Sequence, residues 1–522
     1  QPCYAISADP SMKTFEEESS CREIAEYFSQ IAEADYDRVL PRLLNKTRSD
    51  GKASKYAFIA RDVDVETADI IKKHIAEKKW KGIAFVEETK RFYPCNELLA
   101  NIVGFVNISE GRQIPQGGIE KIKQNSIGSE DGKTVIERDR KGTPFEERVI
   151  QRSRDGVDVY LTVSQKIQMI VEEELDKLVQ QYSPKSAYVV MVNPRNGNIM
   201  AVAQRPTFNP NDRKTMNDPE ACRDKVITDV FEPGSIMKAI SVSGALDFGV
   251  VRPETKFNCE NGLGFFAGRS LRDAHPCGIM PVSEIIQKSS NIGTAKISEQ
   301  MGEKRLYNIL CRFGFGQKTG IPIQPEATGI FRPLQKWDKL SLSRFAIGQG
   351  IAVTPLQMVR AYCAIANGGK LVKIRLIDRE VNPETGEVLK ISEEPAPQIF
   401  TRKDTSREMI EMLKLVTKKG GTAERAAVKG YDVAGKTGTS QKAVNGVYSN
   451  SQYHSSFIGF VPADDPAFVM IVTVDEPKEN HYGGVVAAPT FRFISEKVLQ
   501  ILNVPPQYPE EYESASAKKN SE

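Results

Sequence analysis

The 522-residue chain reads as an α+β protein, and three observations carry that reading. Two apolar runs flank a turn rich in Asn, Pro and Gly in AYVVMVNPRNGNIMAVAQ (187–204), the pattern of an antiparallel hairpin. Helical patterns then dominate from about 235 to 315. Three further apolar runs, VAGKTGTS (433–440), SSFIGFVP (455–462) and FVMIVTVDEP (468–477), read as strands, and a helix from about Pro489 to Leu502 follows them. Helices between two runs of strands, closed by a last helix, imply an antiparallel sheet flanked by helices, with an all-helical subdomain.

The remaining elements fit around this frame. A chain of this length exceeds one ordinary core, so two or more domains are expected. The first 160 or so residues mix the amphipathic stretch CREIAEYFSQIAEADYDRVLPRLL (21–44) with Lys-rich helix and short strands such as GIAFVEE (82–88). Nothing there clusters a nucleophile, a base and an orienting group, so 1–160 reads as a non-catalytic module. A short strand, VDVYLTV, and a long helix, SQKIQMIVEEELDKLVQQY, open the second domain, 161–504. In VTPLQMVRAYCAIANGG, Thr354 can cap a helix, Pro355 suits its first position and Gly368 its end. The tail 505–522 has too little apolar content to fold and is expected to be disordered.

Composition excludes several classes. Hydrophobic residues make up 40% and charged residues 27%, and a net charge of +3 without a basic-aromatic run gives no reason to expect nucleic acid. No apolar stretch is long enough to span a bilayer, but the chain opens at Gln1 rather than Met, so a natural N-terminal segment is expected upstream. The eight cysteines are too sparse for a disulfide scaffold. Cys259 and Cys277 flank NCENGLGFFAGRSLRDAHPC, where both a bridge in an oxidising compartment and two unpaired thiols stay open. His275 beside Cys277 lacks two more ligands at zinc spacing, so neither metal nor cofactor is expected.

The chemistry lies in three separated motifs. In FEPGSIMKAI, Ser235 follows Pro233-Gly234 and precedes Lys238 by three residues, a spacing that puts both side chains on one helix face. The free amides of a first helical turn would surround Ser235 with donors. Chance alone supplies roughly two or three S-x-x-K matches in such a chain, and one is Ser516 to Lys519. QKSSNIGTAK adds Ser289-Ser290-Asn291, and VAGKTGTS adds Lys436-Thr437-Gly438-Thr439 on a strand. The order S-x-x-K, S-x-N, KTG is that of penicillin-recognising enzymes. A second KTG, Lys318 to Gly320, lies among glycines before Ile-Pro and reads as a turn.

From about Tyr4 to Leu502 the chain resembles a class B penicillin-binding protein of the septal, cell-division type. The likeness is carried by RFYPCNELLANIVGFVN, ERDRKGTP, VITDVFEPGSIMK, SSNIGTAK, IGQGIAVTPLQ, VAGKTGTSQ, SFIGFVPAD and YGGVVAAPTF. It implies that 1–160 is a pedestal, or dimerisation-like, domain and 161–504 a transpeptidase domain. Arg91, Gly118, Glu120, Asp139 and Arg140 match motifs of the first domain and read as structural.

The resemblance implies a peptidoglycan D,D-transpeptidase. Ser235 would attack the penultimate D-alanine carbonyl of a stem peptide and form an acyl-enzyme, which an amine of a second stem resolves. Lys238 would be the base, which requires a neutral amine. Lowering its pKa from 10.4 to near 7 takes roughly 4 to 5 kcal/mol, through burial and the like charge of Lys436. Ser289 would relay the proton, Asn291 hold the substrate amide, and Lys436, Thr437 and Thr439 hold the terminal carboxylate. Gly438 would let the substrate lie against the strand, and the backbone amides of Ser235 and Thr439 would form the oxyanion hole.

Implied partners are stem peptides as D-Ala-D-Ala donor and amine acceptor, β-lactams, a SEDS-type lipid-II polymerase and other division proteins. An N-terminal anchor preceding this sequence would place the domain on the extracytoplasmic face of a bacterial membrane. Glu326, in QPEATG, lacks the E-x-x-L-N context of a deacylating base and reads as structural, so a β-lactam should be hydrolysed slowly. That and the large first module disfavour a serine β-lactamase. A D,D-carboxypeptidase, a β-lactam sensor and an idle division scaffold stay open as rival readings, the last opposed by five intact motif residues.

Overall fold

The computed structural model describes residues 1–48, 50–109, 112–130, 132–138, 144–389, 395–444 and 446–512. The chain forms two compact units, Gln1–Pro94 and Cys95–Glu522. In the first, strands β1 (Pro2–Ala8), β2 (Ala57–Asp64) and β3 (Ile83–Thr89) form an antiparallel sheet in the order β2-β1-β3. The amphipathic stretch 21–44 becomes two helices, α1 (Glu18–Ile31) and α2 (Tyr36–Leu44). It breaks where Glu33 turns left-handed and the Asp35 carboxylate caps the amide of Asp37. Helix α3 (Val65–Lys78) starts at Asp64, whose carboxylate accepts from Thr67 N at 2.8 Å. Ile6, Phe15, Ile24, Phe28, Leu43 and Ile71 close the core of this unit without exposure.

The second unit is built on a five-stranded antiparallel sheet. Its strands are β4 (Ser186–Val192), β5 (Ile199–Arg205), β8 (Ala434–Val444), β9 (Val447–Val461) and β10 (Phe468–Asp475), in the order β5-β4-β10-β9-β8. The hairpin and the three late strands are those expected from the sequence. Every residue of β4 and β10 is buried, as their largely apolar runs require when helices cover both faces. Helices α4 (Gln165–Tyr182) and α10 (Ala488–Ile501) pack on one side, and α8 (Pro355–Ala366) on the other.

Helix α5 (Met237–Asp247) is buried along its whole length, its polar side chains Lys238, Ser241, Ser243 and Asp247 included. Around it lie α7 (Asn291–Met301) and α9 (Thr405–Thr417), with α6 (Val282–Lys288) packed on α9 and the small hairpin β6 (Leu263–Phe266) and β7 (Arg269–Arg272) beside α7. Residues 95–160, read from the sequence as part of the first module, contribute Ile102 and Ile119 to the core of this second unit. Gly118 has φ +54°, and a Cβ there would lie 2.4 Å from Ile102 O, so its role is packing. Glu120 is buried in the short helix Gly118–Ile122 and Arg91 is exposed after β3. Asp139 and Arg140 lie outside the described residues.

The tail departs from its expectation over 505–512. Gln507 Oε1 accepts from Asp432 N, Tyr508 N donates to Gly430 O, and Tyr508 Oη donates to Asp432 Oδ2. Tyrosines and a glutamine thus supply the contacts that low apolar content appeared to deny, while 513–522 lie outside the described residues. Helix α8 starts as the sequence indicates, with a reciprocal capping box. Gln357 N donates to Thr354 Oγ1 at 3.1 Å, and Thr354 N to Gln357 Oε1 at 2.9 Å. Thr354→Ala should lower the unfolding free energy by about 1 kcal/mol, read from the midpoint of urea denaturation.

Candidate active site

The nucleophile turn is pinned on both sides before the helix begins. Phe231 and Val353 exchange backbone hydrogen bonds at 3.0 and 2.9 Å, and Gly234 N donates to Gly348 O at 3.0 Å. Gly234 has φ +55°, a conformation that only glycine adopts freely, and a Cβ on Gly348 would stand 2.2 Å from Gly234 O. Ser235 sits in a single 3-10 turn, Gly234–Ile236, which α5 continues from Met237. The sequence reading puts Ser235 in the first turn of the helix itself; the structure puts it in a tighter turn that precedes the helix.

Lys238 and Lys436 are both fully buried. Lys238 Nζ donates to Ser289 O at 2.5 Å and to Asn291 Oδ1 at 2.7 Å, and lies 3.2 Å from Ser289 Oγ. Lys436 Nζ donates to the same Ser289 Oγ at 2.8 Å and to Thr437 O at 3.2 Å. One hydroxyl therefore stands between two amines. Burial pushes the Lys238 pKa down to about 7 against an opposing pull from Asp273, while burial and the charge of Lys238 hold Lys436 well below its usual range. A neutral Lys238 has two N–H groups for its two short acceptors and a lone pair left for a hydroxyl proton.

The three motifs thus meet in one place, with one difference from expectation. Among the described residues, Lys238 makes no hydrogen bond to Ser235, because Ser289 O and Asn291 Oδ1 take its donors. Gly438 is also held bare by the protein's own packing. A Cβ there would lie 2.3 Å from Ser456 Oγ and 3.1 Å from Ile236 Cγ2, so its bare face packs against the nucleophile turn. Thr437 Oγ1 shares a 2.8 Å hydrogen bond with Thr422 Oγ1, and Thr439 Oγ1 accepts from Gly483 N at 3.2 Å. Asn291 Nδ2 donates to Arg272 O at 2.7 Å, so both ends of its carboxamide have partners.

Asp273 is the group that sequence reasoning missed. Its carboxylate accepts from Ser290 Oγ at 2.6 Å, Asn291 N at 2.5 Å and Ile292 N at 3.0 Å, which caps α7 and sets the S-x-N turn. Ser289, at φ +59°, holds the left-handed conformation that aims its hydroxyl at the lysines. Asp273 lies 18 residues upstream of Asn291 on the β6–β7 side, too far for a local pattern to reveal the cap. Glu232 and Thr422 escaped notice for the same reason.

The second KTG is a loop. Glu326 Oε1 accepts from Thr319 N and Thr319 Oγ1, both at 2.6 Å, so this carboxylate closes the turn as its structural reading supposed. Cys259 and Cys277 are free thiols, and among the described residues no cluster of His, Cys, Asp and Glu could hold a metal ion. No described helix is long and apolar enough to cross a membrane.

Residues 187–496 match the penicillin binding protein transpeptidase domain and 1–161 the penicillin-binding protein dimerisation domain. The chain belongs to the penicillin-binding protein transpeptidase family. It is 34% identical over 472 residues to a probable peptidoglycan D,D-transpeptidase PenA of Neisseria meningitidis, covering 90% of this chain and 77% of that one. It is 32% identical over 457 residues to the peptidoglycan D,D-transpeptidase FtsI of Escherichia coli K12, covering 87% and 73%. In fold it is similar to penicillin binding protein 2X of Streptococcus thermophilus, with a TM-score of 0.76 at 24% identity over 96% of this chain and 77% of that one. The transpeptidase domain of Burkholderia pseudomallei penicillin-binding protein 3 gives 0.59 at 34% identity over 67% and 98%.

Asp273→Ala should cost about 1–3 kcal/mol, because it strips the acceptor from Ser290 Oγ and two helix amides. Thermal unfolding checks the loss. Lysine-selective carbon-13 NMR of the wild type should show one side chain titrating near pH 7, absent in Lys238→Met.

Proposed function

We propose that the chain is a peptidoglycan D,D-transpeptidase working through a Ser235 acyl-enzyme, and that it cross-links stem peptides during septal wall synthesis. The observation that carries the mechanism is the pair of buried lysines sharing the Ser289 hydroxyl, one of them three residues after Ser235. Neutral Lys238 takes the Ser235 proton as Oγ attacks the D-alanine carbonyl. The amides of Ser235 and Thr439 receive the developing oxyanion, each donor being worth on the order of 100- to 1000-fold.

Ser289 Oγ passes a proton to the leaving D-alanine amine, and its contacts with both lysines suit a relay. Lys436 with Thr437 and Thr439 receives the terminal carboxylate, and Asn291 exchanges a protein partner for the substrate amide. An amine of a second stem then attacks the ester. A β-lactam is a slow substrate of the same Ser235, because Glu326 is committed to its own turn and is not free to activate water. The septal assignment rests on ITDVFEPGS and KTGT, and we extend it to a pedestal at 1–160 that docks a SEDS-type polymerase and to a membrane anchor preceding Gln1.

Fluorescent penicillin should label Ser235 alone by peptide mapping, and a label elsewhere would sink the mechanism. Lys238→Ala should slow acylation about 100- to 10,000-fold. In the wild type the rate should climb through about pH 7, since the amine is charged and useless as a base below that pH and free above it. Incubation with a defined lipid-II polymer and mass spectrometry separates cross-linking from D,D-carboxypeptidase action, which would release D-alanine without dimers.

A further inference from the structure

A half-buried guanidinium, Arg344, stands among segments that support the S-x-N turn and the nucleophile turn. Arg344 Nη2 donates to Ser270 O at 3.1 Å and Nη1 lies 3.4 Å from Gln349 Oε1. Ser270 belongs to the β6–β7 hairpin whose Arg272 carbonyl orients Asn291. Gln349 follows Gly348, the residue pressed against Gly234 beside the nucleophile. The third neighbour is Tyr448 on β9, whose Oη donates to Glu232 Oε2 at 2.9 Å, three residues before Ser235. Glu232 is already engaged by Tyr448 and by Gly350 N at 2.8 Å. Among the described residues Arg344 has no ion pair, and burial holds its pKa below the usual value with only Tyr448 opposing. A guanidinium with free donors, partly stripped of water and lacking an anion, is built to receive one.

The edge strand shows which anion can reach it. Strand β8 ends the sheet, so an extended peptide can add along its open edge. On the proposed function, the terminal carboxylate of the donor lies at Lys436 and Thr437 and the scissile carbonyl at Thr439. Residues upstream of the scissile bond then run toward Ser440, whose Oγ donates to Glu232 O at 2.7 Å. That is the end of β8 where Tyr448 and Arg344 stand. We propose that Arg344 binds a carboxylate of the donor stem peptide upstream of the D-Ala-D-Ala terminus, making it a specificity-determining residue for acidic over amidated stems.

The proposal rests on the Ser235 acyl-enzyme reading, and the test separates the two. Two donor pentapeptides differ only in whether the stem carboxylates are free or primary amides, and acyl-enzyme formation is followed by intact mass with the donor alone. The wild type should acylate about tenfold faster with the acid than with the amide, as one charge-assisted contact at a half-buried site allows. Arg344→Gln should bring that ratio close to one, and Arg344→Lys should leave it between the two. A wild-type ratio of one, or an undiminished ratio in Arg344→Gln, overturns the proposal. If Arg344→Gln fails to fold, the wild-type ratio and Arg344→Lys still decide. Wild-type protein that forms no adduct at Ser235 with either peptide instead refutes the underlying reading.

Discussion

Everything at this site answers to one constraint: two lysine amines are withdrawn from water within reach of a single hydroxyl. Moving Lys238 to a pKa of about 7 corresponds to roughly 5 kcal/mol against its charged form. Domains are stable by only about 5–15 kcal/mol in total, so the surrounding structure must hold the pair firmly. The linkage has a definite sign. The folded amine is deprotonated above about pH 7 while the unfolded one keeps its proton to about pH 10, so its penalty is full below that window and relieved as pH rises through it.

The neighbours are arranged to keep that pressure without letting the lysines escape. Lys238 is embedded in a helix buried on every side, and Lys436 sits on an edge strand locked to the nucleophile turn through Ser440 and the bare face of Gly438. The N-terminus of α7 points its partial positive charge toward the same place. Asp273 absorbs it by taking two amides and a hydroxyl, and it also moderates the depression of Lys238. Orientation of the S-x-N turn and tuning of the base therefore pass through one carboxylate.

Much of the fold was legible because it is local. The hairpin at 187–204 declared itself by two apolar runs around Asn-Pro-Arg-Asn-Gly, and α8 by Thr354, Pro355 and Gly368. The second KTG was separable from the first because glycines and Ile-Pro surround it. What stayed hidden was non-local: the cap by Asp273, the Thr422–Thr437 contact and the docking of 505–512 all join segments with no shared periodicity.

By itself, the sequence determined the residue types, the strand and helix periods, and the order of three motifs too specific to arise together by chance. Only the tertiary structure decided that Lys238 hydrogen-bonds Ser289 and Asn291 at rest rather than Ser235, that Gly438 packs its bare face on the nucleophile turn, and that Arg344 stands among Ser270, Gln349 and Tyr448. Periodicity reports which face of an element is apolar. Which polar groups share a buried space is set by contacts between distant segments, where hydrogen-bond competition and desolvation act.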